Sequence, residues 1–409
     1  MGVLKDAGGT LIGSNQEQVD GFVRDIFGEE EEGGRPRWEK AYLEWPLQEG
    51  TLREMVLKAI RGTSSKSAAG PDGIGYRLIK VVLGIRLGME LVDLIIDHLR
   101  SGFIPDEWKE MKMVMMLKPG RDLTLTKNWR PINLINCVGK IGEKVVADCL
   151  QEVQCFHDGQ YGGRKNRTVT EVVALAVTKA QRAVRAGGMA EWGFWDVKRG
   201  FQNVWWEPVM ERLSEHPEGS RWLPWLTNVF GRRNFEVVWD GTLKGRGQTG
   251  NGVPQGSPLS PVLFLIWMAP IMEDLEIKVS ISLGREVELF SYVDDIHVGV
   301  YGRSQEGVEE QGGWVERVDE VVGEVSEEWG MPTALDKHER LVIRIGEGRK
   351  KRKKGETKWV KWLGIILDEG LTFHNHWQKR VEKARNLLVA LRGVGNSEWS
   401  LSPRGWRQV

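Results

Sequence analysis

The stretch VELFSYVDDIHVGV, from Val287 to Val300, decides the fold of this 409-residue chain. Apolar residues precede and follow the acidic pair Asp294-Asp295, and the pattern predicts two short β-strands joined by a tight turn at Val293-Asp294-Asp295. Acidic residues are common in hairpin turns because their side chains bond to nearby backbone groups. The pair alone is therefore compatible with ordinary turn chemistry and with a metal site.

A third acid, Asp196, follows the apolar residues Trp192–Trp195 in another predicted strand, Trp192–Val197. An ionised carboxylate beside such residues is costly unless it is paired or binds a cation. Two divalent cations about 4 Å apart repel by on the order of 15 kcal/mol at an effective dielectric of about 20, so a two-ion site needs several anionic ligands. Magnesium prefers oxygen ligands, and aspartates without His or Cys suit it better than zinc. Asp196, Asp294 and Asp295 are therefore candidate magnesium ligands.

Composition narrows the class of protein. The chain is 41% hydrophobic, which is enough for a sizeable core. Its three cysteines lack a paired spacing, which favours a reducing compartment. Lys+Arg and Asp+Glu both total 57, so net charge gives no pointer to nucleic acid. The apolar run Pro258–Met272 is too short and too interrupted to span a bilayer, and the N-terminus lacks the pattern of a targeting peptide. We expect a location in the nucleus or cytoplasm and no membrane partner.

The order of predicted elements indicates an α+β fold. Residues 1–50 are polar and predict a leader or tether, and globular periodicity begins at Leu52. Met111–Leu117 predicts a strand, and strands and helices alternate along the chain. Neither a G-x-G-x-x-G nor a G-x-x-x-x-G-K-S/T loop is present, so dinucleotide-binding and P-loop folds lose their defining signal.

Two helix starts can be placed from the sequence. Thr168 and Glu171 fit a capping box for a helix over residues 169–186. Ser257 and Pro258 fit the N-cap and first turn of an apolar helix that runs to about residue 276. Both predictions rest on local side-chain chemistry.

The order of three motifs makes the chain recognisable. FWDVKRGF (Phe194–Phe201) precedes GVPQGSPLSP (Gly252–Pro261), and YVDD (Tyr292–Asp295) follows. These stretches resemble motifs A, B and C of reverse transcriptases from non-LTR (LINE-type) retrotransposons, and the combination of the last two is highly specific. Further stretches resemble the finger and primer-grip motifs of the same family: AGPDGI (69–74), LKPG (117–120), WRPI (129–132), QYGGR (160–164) and KWLGI (361–365).

The resemblance covers roughly residues 52–392 and implies a right-hand polymerase. Fingers and palm, the palm being an antiparallel sheet packed on helices, would occupy residues 51–370, and a partial helical thumb residues 371–409. The implied activity is RNA-directed DNA synthesis, in which dNTPs extend a DNA primer on an RNA template with two Mg²⁺ ions, for which Mn²⁺ can substitute. The implied metal ligands are Asp196, Val197, Asp294 and Asp295.

The resemblance also implies nucleotide-binding residues. Lys118 and Arg130 would hold the triphosphate, the arginine as a planar fork and the lysine as a point charge. Gln255 would line the nucleotide pocket, and Gly252 and Gly256 would let the backbone approach the substrate. The alternatives are ordinary surface charge, an exposed turn glutamine and turn glycines.

Two further residues would act on the sugar and the pyrophosphate. Phe201 resembles the bulky residue that closes the pocket beneath the sugar and disfavours a 2′-hydroxyl, with a core aromatic as the alternative. RNA-dependent RNA polymerases of the same palm plan have an Asp at this place. Lys337 resembles the lysine that protonates pyrophosphate, although the family more often shows threonine where this chain has His338.

The chain also departs from the family pattern. Arg199-Gly200 stands where Gly-Ala is usual, which brings an extra charge beside Asp196, and the chain ends at Val409 soon after the primer-grip-like segment. We therefore expect an excised core or a truncated element copy. An inactive nucleic-acid-binding relic, an intron-encoded maturase-type enzyme and a viral RNA polymerase stay open as alternatives, although Phe201 disfavours the viral enzyme. The oligomeric state is also left open.

Overall fold

The computed structural model describes residues 4–5, 11–12, 48–125, 128–229, 233–239, 242–249, 252–303, 313–334, 338–344 and 358–395. Contacts divide the chain into two units. Unit 1 consists of residues 1–167, 197–277 and 324–333. Unit 2 consists of residues 168–196, 278–323 and 334–409.

Helices and strands alternate along the described residues, which confirms the α+β class. The helices are α1 (Glu49–Arg61), α2 (Tyr76–Val82), α3 (Arg86–Ser101), α4 (Asp106–Lys109), α5 (Cys137–Leu150), α6 (Val169–Arg185), α7 (Trp206–Ser214), α8 (Pro217–Ser220), α9 (Leu223–Val229), α10 (Ser260–Leu283), α11 (Trp314–Glu328) and α12 (His374–Gly395). The strands are β1 (Leu4–Lys5), β2 (Leu11–Ile12), β3 (Glu110–Leu117), β4 (Trp129–Ile135), β5 (Gln160–Gly162), β6 (Gly188–Asp196), β7 (Arg233–Trp239), β8 (Thr242–Thr249), β9 (Glu288–Tyr292), β10 (Asp295–Arg303), β11 (Glu339–Ile343), β12 (Trp359–Trp362) and β13 (Ile365–Asp368). A 3₁₀-helix covers Gly200–Asn203.

Strand β6 lies inside the sheet of unit 2. The strands β11, β6, β10 and β9 are neighbours in that order, and each of these pairs is antiparallel. The β6 residues Met189–Trp195 are all buried, whereas the last residue, Asp196, is exposed. Both faces of β6 are therefore covered up to Trp195, and Asp196 marks the place where the buried layer ends.

Helix α6 contacts β6, β9 and β10 of this sheet. The capping box predicted at its start is confirmed, because Glu171 N donates to Thr168 Oγ1 at 3.1 Å and Thr168 N donates to the Glu171 carboxylate at 3.4 Å. The helix ends at Arg185, and Gly187 reverses the chain with a φ of +79°. One face of the helix is buried and consists of valine and alanine: Val172, Val173, Ala176, Val177, Ala180 and Val184.

The sheet of unit 1 has the strand order β4, β3, β7, β8. Strands β3 and β7 are parallel, and the other pairs are antiparallel. Side chains alternate between the two faces of a strand, so one face of β3 is buried and the other carries Lys112, Val114 and Met116. The strand predicted at Met111–Leu117 is thereby confirmed. The buried face forms an apolar cluster of Met111, Met113, Met115, Ile135, Phe235 and Val237.

Helix α10 begins later than the sequence predicts. Ser257 is not its N-cap, because the Ser257 hydroxyl donates to Glu143 and accepts a bond from Leu259 N, which closes a turn before the helix. The first helical residue is Ser260, and the helix continues to Leu283, beyond the predicted end near residue 276. The sequence pattern predicts a cap at Ser257 from neighbouring residues alone, whereas the Ser257 hydroxyl donates to a residue far away in the sequence.

Two predictions fall wholly or mostly outside the described residues: Lys337 and the leader over residues 1–50. The helix expected in the C-terminal segment is observed as α12. Among the helices that the structure describes, none has both the length and the apolar character needed to cross a bilayer.

Candidate active site

A strained hairpin turn carries Asp294. Strands β9 and β10 pair so that Tyr292 is opposite Asp295, which leaves the two-residue loop Val293-Asp294 and confirms the predicted hairpin. Val293 has a φ of +59°. Two-residue hairpin loops require a positive φ at their first residue, but a β-branched side chain adopts it only with strain. Such strain is typical of functional sites, where the surrounding structure holds it.

The sheet register brings Asp196 beside this turn. Asp196, at the end of β6, is the direct antiparallel partner of Asp295, at the start of β10. Directly opposite residues share a face of the sheet and have Cβ atoms roughly 5 Å apart. Ala334 N donates to the carbonyl of Asp196 at 3.0 Å, which holds the end of β6 on its other side. All three predicted acids therefore lie at one end of the sheet in unit 2.

The three carboxylates act on one another electrostatically. Burial, followed by the negative charges of Asp294 and Asp196, raises the pKa of Asp295 to about 6. Asp294 and Asp196 are themselves exposed, and Asp295 is half-buried. Negative charge is thus concentrated where the sheet meets solvent, and a bound cation would offset the repulsion among the three carboxylates.

The donor set fits a hard divalent cation, because it consists of carboxylate oxygens without thiolate or imidazole. Within the described residues, however, no group of three or more His, Cys, Asp or Glu side chains is already arranged to hold a metal ion. Asp196 and Asp294 are exposed, so an ion can reach their carboxylates from solvent.

Val197 follows Asp196 and has a buried side chain. It forms an antiparallel bridge with Thr333, made by Lys198 N donating to Pro332 O at 2.8 Å and by the Ala334–Asp196 bond. In a pair of this kind the bonds come from the flanking residues. The N–H and C=O of Val197 are therefore not used by this bridge.

In unit 1, Phe201 contacts the loop that contains Gln255. Val253 N donates to the Phe201 carbonyl at 2.7 Å, and Gly252 N donates to Val204 O at 3.2 Å. Gly252 has a φ of +78°, and a Cβ there would lie 2.6 Å from Gln202 O. The half-buried Phe201 ring packs on Phe264 with centroids 5.6 Å apart, so it has one face in the core.

Gln255 and Gly256 rest against strand β4. Asn133 N donates to the Gln255 carbonyl at 2.7 Å. Gly256 has a φ of +131°, and a Cβ at this residue would lie 2.3 Å from Asn133 O. Glycine is therefore required at residue 256 by the approach of the protein's own backbone, a reason that the sequence does not contain.

Lys118 and Arg130 share one face of the β3–β4 hairpin. Arg130 is opposite Met116 in the register, and Lys118 lies two residues after Met116, beyond the end of β3. Lys118 N donates to Asn128 O at 2.9 Å, so the pairing extends past the strand. Diagonal neighbours on one face are close enough for long side chains to act on the same group.

One buried residue near this loop was missed by the sequence reasoning. Glu143 lies on α5, is 4% exposed, and accepts the hydroxyl bond from Ser257. A charged residue on the buried side of an apolar helix is the signal that could have identified it. The predicted residues are thus distributed between the units: the three aspartates lie in unit 2, and Lys118, Arg130, Phe201, Gln255 and Gly256 lie in unit 1.

Comparison with known proteins places these residues in a family. Residues 116–367 match the family described as reverse transcriptase (RNA-dependent DNA polymerase). The chain is 26% identical over 360 residues to a 115 kDa protein of the type-1 retrotransposable element R1DM of Drosophila melanogaster, covering 84% of this chain and 33% of the relative. It is 26% identical over 380 residues to the RNA-directed DNA polymerase from mobile element jockey of the same species, covering 88% and 39%.

A third relative is the retrovirus-related Pol polyprotein from the type-1 retrotransposable element R1 of Bradysia coprophila, 23% identical over 378 residues, covering 88% of this chain and 35% of the relative. The chain therefore spans about a third to two-fifths of the length of these curated relatives. The family match covers more than half of the chain and includes all of the predicted site residues. The chain belongs to the reverse transcriptase (RNA-dependent DNA polymerase) family.

Proposed function

We propose that this chain is an RNA-directed DNA polymerase of a LINE-type retrotransposon, which extends a DNA primer with dNTPs on an RNA template in the nucleus or cytoplasm. The observation that carries the proposal is the cross-strand pair Asp196–Asp295, with Asp294 in the adjoining strained turn. Ordinary turn chemistry explains an acid in a hairpin, but it gives no reason for a third carboxylate on the facing strand. The relatives come from retrotransposable or mobile elements, so the maturase alternative is not favoured.

We infer that two Mg²⁺ ions, or Mn²⁺ in their place, are held by the carboxylates of Asp196, Asp294 and Asp295 and the carbonyl of Val197. Bound there, the ions would activate the primer 3′-hydroxyl and neutralise the triphosphate. The chain's own contribution is to concentrate negative charge at the end of β6 and the start of β10, where burial and the charges of Asp294 and Asp196 together raise the pKa of Asp295. The strained turn fixes the position of Asp294.

The nucleotide would be held by residues of unit 1. Lys118 and Arg130, on one face of the β3–β4 hairpin, would bind the triphosphate oxygens. Gln255 and Gly256 would line the pocket for the base and sugar, and Phe201 would close it beneath the sugar. Lys337, which lies outside the described residues, would donate a proton to pyrophosphate.

Primer extension tests the proposal. Purified protein should incorporate dTTP on poly(rA)/oligo(dT) with Mg²⁺, and Asp294→Asn should abolish incorporation because it removes a ligand and a negative charge. Asp97→Asn, which changes an exposed aspartate on α3, is the matched control and should keep full incorporation. If folded wild-type protein incorporates nothing but retards a template–primer duplex in a salt-dependent way, the chain binds nucleic acid without polymerising.

A further inference from the structure

A buried ion pair lies behind the Gln255–Gly256 loop. The Glu143 Oε1–Arg233 Nη2 distance is 2.8 Å, and both side chains are 5% exposed. Glu143 Oε2 accepts the hydroxyl bond of Ser257, which is also buried. Arg233 Nε donates to the carbonyl of Val229 at 3.1 Å. Each oxygen of the Glu143 carboxylate therefore has its own partner, and only one of those partners belongs to the loop.

This arrangement holds the loop at two places. The carbonyl of Gln255 accepts a bond from Asn133 N on β4, and the hydroxyl of Ser257 donates to Glu143 on α5. Gly256 lies between these contacts, with the left-handed φ of +131°. A peptide with so unusual a φ keeps one orientation only when the residues on both sides are fixed.

We propose that Glu143 is a positioning residue, which acts through Ser257 to hold the Gln255–Gly256 loop in the shape that accepts the incoming nucleotide. The inference rests on the proposed function, because the loop's ligand is taken to be a dNTP. Arg233 compensates the charge of the buried Glu143 carboxylate, to which the serine hydroxyl donates a charge-assisted bond. A neutral acceptor would hold the hydroxyl more weakly.

The first test removes the Ser257 hydroxyl, which is the loop's donor in the bond to Glu143. Ser257→Ala leaves the Glu143–Arg233 pair intact, and we expect KM for dTTP to rise on the order of tenfold while kcat changes less than about twofold. A purely structural role would instead lower the amount of active enzyme, so that kcat would fall with the folded fraction at unchanged KM. That second result would overturn the inference. Ser214→Ala, which removes a hydroxyl bond to the Glu211 carbonyl, is the control and should leave KM unchanged.

A second variant removes the ion pair without leaving a buried charge. Glu143→Leu combined with Arg233→Met should fold, because replacing both partners by apolar residues is tolerated whereas removing one is not. We expect its KM for dTTP to match that of Ser257→Ala. Adding Ser257→Ala to it should raise KM no further, because both changes break the same contact. A wild-type KM in the double variant would contradict the proposal.

Hydrogen exchange gives a readout that does not need catalysis. In wild type and Ser214→Ala, dTTP with annealed template–primer should slow backbone exchange in the peptide covering residues 252–260. The same dTTP concentration should give clearly weaker slowing in Ser257→Ala. Equal slowing in all three proteins would overturn the positioning role. If wild type shows dTTP-dependent slowing but incorporates nothing, the polymerase proposal fails and the positioning role of Glu143 stands.

Discussion

Val293 carries backbone strain at the turn that presents Asp294. Its φ of +59° is one that a β-branched residue rarely adopts. The left-handed conformation costs a residue with a Cβ about 1–2 kcal/mol. The strain is therefore a property of one residue, and replacing that residue by glycine removes it.

We predict that Val293→Gly raises the free energy of unfolding by on the order of 0.5 kcal/mol, because the strain relieved exceeds the entropy cost of glycine. We also expect slower dTTP incorporation, since Asp294 is less firmly held. Urea unfolding and primer extension measure the two effects. Val81→Gly, at an exposed residue of α2, is the control and should lower stability by about 0.5 kcal/mol. Equal losses in both variants would contradict the strain argument.

Phe201 presents a half-buried ring in the segment that contacts Val253. We predict that Phe201→Ala raises incorporation of rUTP relative to dTTP on poly(rA) by on the order of tenfold or more, because a 2′-hydroxyl no longer meets the ring. The measurement is the ratio of kcat/KM for the two nucleotides. Phe264→Leu, which alters the core aromatic packed on Phe201, should lower stability and leave that ratio unchanged. If Phe201→Ala leaves the ratio of kcat/KM for rUTP and dTTP unchanged, Phe201 does not select the sugar and serves only as a core aromatic.

At the scale of elements, α6 supports the strands that carry the aspartates. The helix contacts β6, β9 and β10, and its first turn depends on the Thr168–Glu171 capping box. A lost N-cap leaves backbone N–H groups unsatisfied. The stability of this helix therefore bears directly on the sheet of unit 2.

We predict that Thr168→Ala lowers the free energy of unfolding by about 1 kcal/mol, because the bond from Glu171 N is lost. Thr178→Ala, at an exposed residue inside α6, is the matched control and should be neutral or stabilising, since alanine is the better helix former. Denaturant unfolding followed by far-UV circular dichroism measures both. A similar loss in the two variants would mean that the cap contributes nothing beyond helix propensity.

At the scale of the whole molecule, stability should depend on pH through a buried histidine. His98 is 6% exposed and lies against the rings of Trp108 and Trp225. Its Nδ1–H donates to the Phe103 carbonyl at 2.6 Å. Burial lowers the pKa of His98 below its ordinary value of 6.5, although this carbonyl and the nearby Glu143 act in the opposite direction.

Because the unfolded chain binds the proton more readily, the stability contributed by neutral His98 is complete above pH 6.5 and is lost as the pH falls below it. We predict that His98→Asn, which keeps a donor for Phe103, loses less stability than wild type between pH 7.5 and pH 5.5. The difference is at most about 1.4 kcal/mol per pH unit. Urea unfolding at the two pH values tests it, and equal losses in both proteins would refute the assignment.

Much of the fold follows from the local sequence. The hairpin around Asp294, the strand β3, the helix α6 and its capping box were all predictable, because each depends on residues a few positions apart. The predicted start of α10 was wrong, because a serine before an apolar run caps a helix only when its hydroxyl has no better hydrogen-bond partner. Here that hydroxyl donates to Glu143, 114 residues away.

The sequence by itself determined which acidic groups the protein contains: three aspartates in motifs whose order is that of reverse transcriptases. Tertiary structure decided where those groups meet. Only the antiparallel register makes Asp196 the partner of Asp295, and only the approach of Asn133 makes glycine necessary at residue 256. The physical reason is the distance along the sequence over which each interaction acts. Side-chain type and turn preference act over a few residues, whereas register, burial and the partners of buried charges depend on segments far apart in the chain that packing brings together.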